Sequence, residues 1–228
     1  MSKKDGFYLE GSLNKAVLLC HTLGADPSEM KELAKKLNKQ GYAVSCPLYP
    51  GHGGTFDDMV ATDVTDWYDM LSHEYDRLQE QFEDIYVVGM SIGGTFTVKL
   101  AEEKSPKAIA TINAPIIGFD LYSDLYQYAQ QEKDKEKIKR YRDHRYVYFK
   151  FVTELGQIEN LKKIECPIFV LQGSQDAMRY KTSSMMLMTY PPNEIKQRKD
   201  YPYSRHLLLL EQDRKEAIQD IIQFFSEN

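Results

Sequence analysis

A β-branched run, Ile85-Tyr86-Val87-Val88, that ends in Gly89-Met90-Ser91-Ile92-Gly93-Gly94 and passes at once into a helical pattern constrains this chain more than any other stretch. A serine between strand and helix sits on a sharp turn with its hydroxyl pushed outward, and the flanking glycines remove side chains that would collide there. A helix beginning near Ile92 directs backbone N–H groups and its positive dipole end toward Ser91. Ser91 is therefore a candidate nucleophile. The alternative is an ordinary strand-to-helix turn with an idle serine, because Gly-x-Ser-x-Gly without its context recurs by chance in loops.

The rest of the chain supplies that context. Periodicity predicts strands at 15–20, 42–47, 84–88, 107–112 and 167–172, with a possible strand at 194–198. Helices are expected at 27–40, 62–82, 92–104, 182–190 and 213–225, the last with Ala217, Ile218, Ile221, Ile222 and Phe225 on one face. Strands separated by helices imply an α/β fold, a mostly parallel sheet with helices on both faces.

The alternation breaks between Ala114 and Lys163, which reads as a helical cap inserted in a core formed by 1–113 and 164–228. The charged run 130–145 suits a solvated helix face. Aromatics flank it: Phe119, Tyr122, Tyr126 and Tyr128 before, Tyr146, Tyr148, Phe149 and Phe151 after. Two such patches either close over a pocket or simply pack cap against core.

At 228 residues the chain suits one well-buried domain. With 29 basic and 34 acidic residues, a net charge of −5 gives no nucleic-acid footprint. No apolar stretch approaches a membrane span, and the start of the chain shows no secretory segment. Cys20, Cys46 and Cys166 are odd in number and widely spaced, which argues against a disulfide framework or a zinc cluster. A cytoplasmic chain with reduced thiols is expected, each cysteine acting as a small buried hydrophobe.

A serine hydroxyl is a weak nucleophile unless a histidine takes its proton, and the histidine needs a carboxylate to orient it and stabilise its cation. Asp176 follows the strand Ile168-Phe169-Val170-Leu171 in a loop at a strand's C-terminal end, where open α/β sheets place their sites. His206 lies in the loop Tyr203-Ser204-Arg205-His206 before the final helix. Taken singly, Asp176 is also a turn-forming residue and His206 a capping or core histidine. The order Ser91, Asp176, His206 nevertheless matches a known arrangement of serine, acid and histidine.

On these residues the chain resembles the α/β-hydrolase superfamily, and within it small bacterial carboxylesterases and monoacylglycerol-lipase-like enzymes. The resemblance runs from Val17 to Phe225. It rests on Val17-Leu18-Leu19-Cys20-His21-Thr22-Leu23-Gly24, Pro50-Gly51-His52-Gly53-Gly54, the Ser91 turn, Gly173-Ser174-Gln175-Asp176 and Ser204-Arg205-His206. It implies a catalytic triad in which Ser91 attacks an ester carbonyl, His206 is base and then acid, and Asp176 orients His206. It also implies an oxyanion hole from the backbone N–H groups of Leu23 and Ile92, with no cofactor and no metal. Two departures stand out: His21-Thr22 where relatives have His-Gly, and Arg205, which would place a cation beside the site.

The expected activity is a serine carboxylesterase acting on short- to medium-chain esters, the partner being a small-molecule ester. Monoacylglycerol lipase, acyl-thioesterase and peptidase chemistry share the same site, and a hydrolase scaffold kept as a non-catalytic binding module is the alternative of another class. Met90, Tyr122 and Tyr126 are the candidate substrate-binding residues. His21 and His52 compete as bases but read better as hydrogen-bonded loop residues, and His73 and His144 read as surface residues. Met185-Met186-Leu187-Met188 suits an acyl site or helix packing.

Overall fold

Near-continuous apolar runs form the inner strands of a sheet, which are buried on both faces. The computed structural model describes residues 5–118 and 121–228, the side chains of 122–124 excepted. Seven strands, β1 (Phe7–Leu9), β2 (Lys15–Cys20), β3 (Ala43–Cys46), β4 (Asp84–Met90), β5 (Ala108–Ile112), β6 (Ile168–Gly173) and β7 (Lys196–Tyr201), form one sheet in the order β1-β3-β2-β4-β5-β6-β7. All neighbours are parallel except β1, which pairs antiparallel with β3. Lys196, Arg198 and Lys199 on the outermost β7 discourage pairing with a further strand.

The two-residue strand period sorts each strand's side chains into two layers. Ala16, Leu18, Val87 and Ile109 face α3 (Val64–Gln79) and α4 (Ile92–Glu103). Val17, Leu19, Tyr86 and Val88 face α1 (Lys31–Lys39) and α9 (Arg214–Glu227). This is the α/β-hydrolase architecture. Its helical insertion between β5 and β6 contains α5 (Leu121–Gln131), α6 (Lys135–Leu155) and α7 (Ile158–Leu161).

Several elements differ from the sequence expectation. The helix expected over 27–40 opens as a 3-10 turn, Pro27–Met30, capped by the Asp26 carboxylate accepting from Ser28 N–H, and only then becomes α1. The strand and the short helix α2 (Phe56–Val60) before α3 carry no periodicity of their own: β1 spans three residues held by pairing, α2 five residues held by a Thr55–Asp58 capping box. Helix α8 (Met178–Thr189) begins four residues before the expected start, directly after the Asp176 loop.

The charged face expected in the cap is present, and α6 also carries a buried stripe, His144, Tyr148, Val152 and Leu155, at helical spacing. His144 therefore corrects the expectation of a surface histidine: the stripe that docks the cap includes it. His73 is exposed on α3. Cys20 and Cys46 are buried as expected and Cys166 half-buried, and burial pushes the Cys20 and Cys166 thiols up to about 12.

Candidate active site

The turn after β4 is tight enough to require its glycines. A Cβ on Gly89 would lie 2.0 Å from the Gly93 carbonyl oxygen, and one on Gly93 would lie 2.0 Å from the Cys20 oxygen. Between them Ser91 adopts φ 56° and ψ −123°, a conformation costly for a residue with a Cβ. Its amide donates to the Ile112 oxygen at 2.8 Å, which anchors the turn to β5. The strained geometry thus holds the Ser91 hydroxyl above the C-terminal edge of the sheet, at the start of α4.

The loops after β6 and β7 bring the other two residues to that hydroxyl. Ser91 Oγ lies 2.8 Å from His206 Nε2, and His206 Nδ1 lies 2.8 Å from Asp176 Oδ2. The pattern assigns Ser91 as donor to Nε2 and Nδ1–H as donor to the carboxylate. The other carboxylate oxygen accepts from Ala177 N–H at 2.7 Å, which fixes the Asp176 side chain, itself 5% exposed. Tyr180 covers His206, their ring centroids 4.2 Å apart.

One residue that the sequence reasoning passed over fastens this arrangement. Asn113, at the end of β5 with φ 49°, is buried and makes four side-chain hydrogen bonds. Its amide donates to the Arg205 and His206 carbonyls, each at 2.8 Å. Its oxygen accepts from Gln172 Nε2 at 2.9 Å and from Gly173 N–H at 2.8 Å. Ser204 adds a second tie, donating to Asp213 at 2.8 Å from a fully buried position. The His206 loop is therefore held at its backbone from two sides.

The Thr22 departure has a structural answer. Its φ is not positive, and its hydroxyl donates to Glu29 at 3.0 Å while its N–H donates to the same carboxylate. Glycine-only angles fall instead to Gly24, at φ 71°. Leu23 and Ile92 both line a cavity of about 160 Å³ that opens over Ser91. No acceptor for the Leu23 N–H is present among the described residues, and the Ile92 N–H, at the first position of α4, belongs to the amides a helix leaves unpaired.

His21 and His52 stand apart from Ser91. His21 is fully buried, stacked on Tyr49 at 3.7 Å, its Nδ1 donating to the Thr22 oxygen and its Nε2 accepting from Tyr49 N–H at 3.2 Å. Burial holds its pKa down at about 3. His52 Nδ1 contacts the Pro50 oxygen, and burial likewise lowers its pKa. Both are neutral groups that brace the loops beneath the site.

Of the three expected substrate-binding residues, Met90 and Tyr126 lie away from the cavity. Met90 is fully buried in the layer with α1 and α9, because strand parity turns it away from Ser91's side of the sheet. Tyr126 is 67% exposed on α5 and does not line the cavity. The side chain of Tyr122, and Phe119 altogether, lie outside the described residues. Among the described residues, Tyr148 from α6 and Tyr180 from α8 line the cavity, together with Arg145 and Arg179. Arg205 is exposed and lies outside that lining, and its backbone N–H donates to Glu211. Met186 and Met188 pack on the core while Met185 is 60% exposed, so that run serves mainly as helix packing.

A serine on a strand-turn-helix, hydrogen-bonded to a histidine before the last helix and through it to a carboxylate after β6, on a sheet of this topology, marks a serine-hydrolase-type member of the α/β-hydrolase fold. The chain belongs to the family described as serine aminopeptidase, S33, whose model matches residues 11–213. It is 29% identical over 226 residues to a carboxylesterase of Bacillus subtilis (strain 168), covering 92% of each chain. A thermostable monoacylglycerol lipase of Bacillus sp. (strain H-257) is 36% identical over 117 residues, 51% of this chain and 46% of the lipase. Among solved structures, one from the metagenome-derived lipolytic enzymes LipS and LipT superposes with a TM-score of 0.82 at 20% identity, covering 100% of this chain and 99% of the other. The monoacylglycerol lipase of Paleococcus ferrophilus gives 0.77 at 16% identity, with coverage of 98% and 100%. Among the described residues, no helix is long and apolar enough to cross a membrane.

Proposed function

We propose that the protein is a carboxylesterase that cleaves short- to medium-chain esters through an acyl-enzyme on Ser91. The observation that carries this reading is the continuous 2.8 Å relay from Ser91 Oγ through His206 to Asp176, beneath a cavity of about 160 Å³. In the proposed sequence, His206 Nε2 takes the Ser91 proton as Oγ adds to the ester carbonyl, and the Leu23 and Ile92 N–H groups bind the oxyanion. Collapse expels the alcohol, which takes the proton from His206 and leaves Ser91 acylated. Water then repeats the addition with His206 as base, releasing the acid and restoring Ser91. Asp176 stabilises the imidazolium in both halves, and the chemistry needs no cofactor.

The small cavity favours short acyl groups, and residues 114–163 act as the cap that sets its limit. The family's aminopeptidase description raises a second possibility, but holding a substrate ammonium calls for a carboxylate, and the described residues lining the cavity include none. Monoacylglycerol and thioester substrates use the same chemistry. Hydrolysis of p-nitrophenyl esters graded from acetate to palmitate, by wild type and Ser91→Ala, tests the reading. Turnover that peaks among the short to medium acyl chains and vanishes in the variant is expected. Equal, near-background rates would remove the ester reading and leave the scaffold as a binding module.

A further inference from the structure

Two consecutive peptide planes lead to the Leu23 N–H, and three of their four polar ends are held. The His21 carbonyl accepts from the Tyr49 hydroxyl at 2.9 Å. The Thr22 carbonyl accepts from His21 Nδ1–H at 2.9 Å and from Ala25 N–H at 3.4 Å. The Thr22 N–H donates to Glu29 Oε1, and the Thr22 hydroxyl donates to Oε2 of the same carboxylate at 3.0 Å. The fourth end, the Leu23 N–H, has no acceptor among the described residues. A trans peptide points its N–H away from its C=O, so fixing the Thr22 carbonyl fixes the direction of that N–H, on a residue that lines the cavity with Ser91.

Glu29 is the acidic member of this set. It belongs to the 3-10 turn Pro27–Met30, which is set in place by the Asp26 cap on Ser28 N–H at 2.8 Å and by the buried Pro27 and Met30. Satisfying one buried N–H does not call for a carboxylate, since a backbone carbonyl or a hydroxyl would serve. An anion in this place is costly: burial raises the Glu29 pKa, with the two Thr22 donors opposing. What the carboxylate adds is a second oxygen. With one oxygen on the N–H and the other on the hydroxyl, Thr22 can neither rotate its side chain nor tilt its peptide without breaking a charge-assisted bond. A glycine at 22 has no hydroxyl, so the two-point grip depends on the residue by which this chain departs from the His-Gly pattern.

Resting on the esterase reading above, we propose that Glu29 is a positioning residue of the oxyanion hole: its carboxylate, gripping Thr22 at two points, keeps the Leu23 N–H aimed at the oxygen of the tetrahedral intermediate. Glu29 stands outside the described lining of the cavity and acts through Thr22. A donor aimed at the oxyanion is felt in the transition state and not in the bound ester, which separates this role from plain support of the fold.

The test compares wild type with Glu29→Ala, Glu29→Gln and Thr22→Val, each first shown to be folded by its melting curve. Hydrolysis of 4-nitrophenyl butanoate is measured beside inhibition by a trifluoromethyl ketone of matched length, whose adduct with Ser91 places an oxyanion in the hole. Losing a donor outright costs about a hundredfold or more, and misaiming it in Glu29→Ala is expected to lower kcat about thirtyfold, with KM changed less than about threefold and the ketone weakened in parallel with kcat. Glu29→Gln can still accept from the N–H and donate to the hydroxyl oxygen, so it should recover to within about threefold of wild type. Thr22→Val loses only the second contact and should fall about fivefold. A folded Glu29→Ala whose kcat and ketone affinity stay within about twofold of wild type would overturn the proposal, as would a loss of kcat that leaves ketone affinity untouched. Should Glu29→Ala fail to fold, Thr22→Val is judged by the same two readouts. Absence of ester turnover in wild type would remove the esterase reading instead. Labelling of Ser91 by a fluorophosphonate, whose phosphoryl oxygen enters the same hole, then decides: a rate about tenfold lower in Glu29→Ala supports the positioning role, and equal rates or no labelling overturn it.

Discussion

Two groups of histidines in this molecule differ in what surrounds the imidazole ring. His206 is partly open to solvent, its side chain 29% exposed, with one nitrogen on a hydroxyl and the other on a carboxylate. His21, His52 and His144 are packed among Tyr49 and Trp67, and burial lowers the pKa of each. The buried three hold loops and helices together in the neutral form. The difference lies in partners and solvation, since the ring is the same.

Exchanging the rings' environments by mutation should separate the two roles. His206→Asn is expected to lower kcat/KM by on the order of 10⁴-fold while the melting temperature changes little, because few packing contacts are lost. His21→Ala is expected to do the reverse, destabilising the fold by about 2–4 kcal/mol with activity of the folded fraction kept within about tenfold. Paired denaturant melts and ester kinetics read both. If His21→Ala abolished turnover in a folded protein, the division into base and brace would fail.

Within the relay, Asp176→Asn sharpens the contrast further. The amide preserves shape but removes the charge and permits the wrong imidazole tautomer, so a fall in kcat of on the order of 10³-fold is expected. A loss below tenfold in single-turnover acylation would mean that His206 does not depend on Asp176.

Asn113 comes next in size. Asn113→Asp keeps the oxygen that accepts from Gln172 and Gly173 but cannot donate to the Arg205 and His206 carbonyls. Misplacing the imidazole by a fraction of an ångström is expected to cost about tenfold in kcat, with a lower melting temperature from the unpaired buried carbonyls. Unaltered kcat alongside the lowered melting temperature would show that Asn113 supports the fold alone.

How far the sequence foreshadowed the site depends on the kind of information each residue carries. Ser91, Asp176 and His206 sit at strand ends, and strand ends in a parallel sheet converge on one edge, so their meeting was legible from order and context. Strand parity was equally legible and, applied to β4, turns Met90 away from Ser91. Asn113 left no signal because its partners are backbone carbonyls of residues 205 and 206, which any sequence supplies. Arg145 closes the charged run 130–145 that reads as a solvated helix face, and Arg179 stands outside every motif. The packing of α6 on the core and the early start of α8 place them in the lining of the cavity with Ser91.

His144 offers the smallest effect and the one that touches catalysis least. Neither of its ring nitrogens has a hydrogen-bond partner among the described residues, and Trp67 lies 5.4 Å away between centroids. Burial, with Arg145 adding to it and Asp63 opposing, holds its pKa at about 4 against an ordinary 6.5. As pH falls below 6.5, the unfolded chain gains a proton on this ring that the native chain refuses. Stability present at neutral pH is thus withdrawn progressively between 6.5 and about 4, by up to about 3 kcal/mol. His144→Leu replaces two unpaired polar atoms with apolar surface and should be neutral or slightly stabilising near pH 7.5. Its advantage over wild type should grow near pH 5, with ester turnover at neutral pH unchanged. Melting curves at the two pH values decide it: a difference that does not widen in acid would mean that the cap opens to let His144 protonate, which would move this histidine from the buried group to the solvated one.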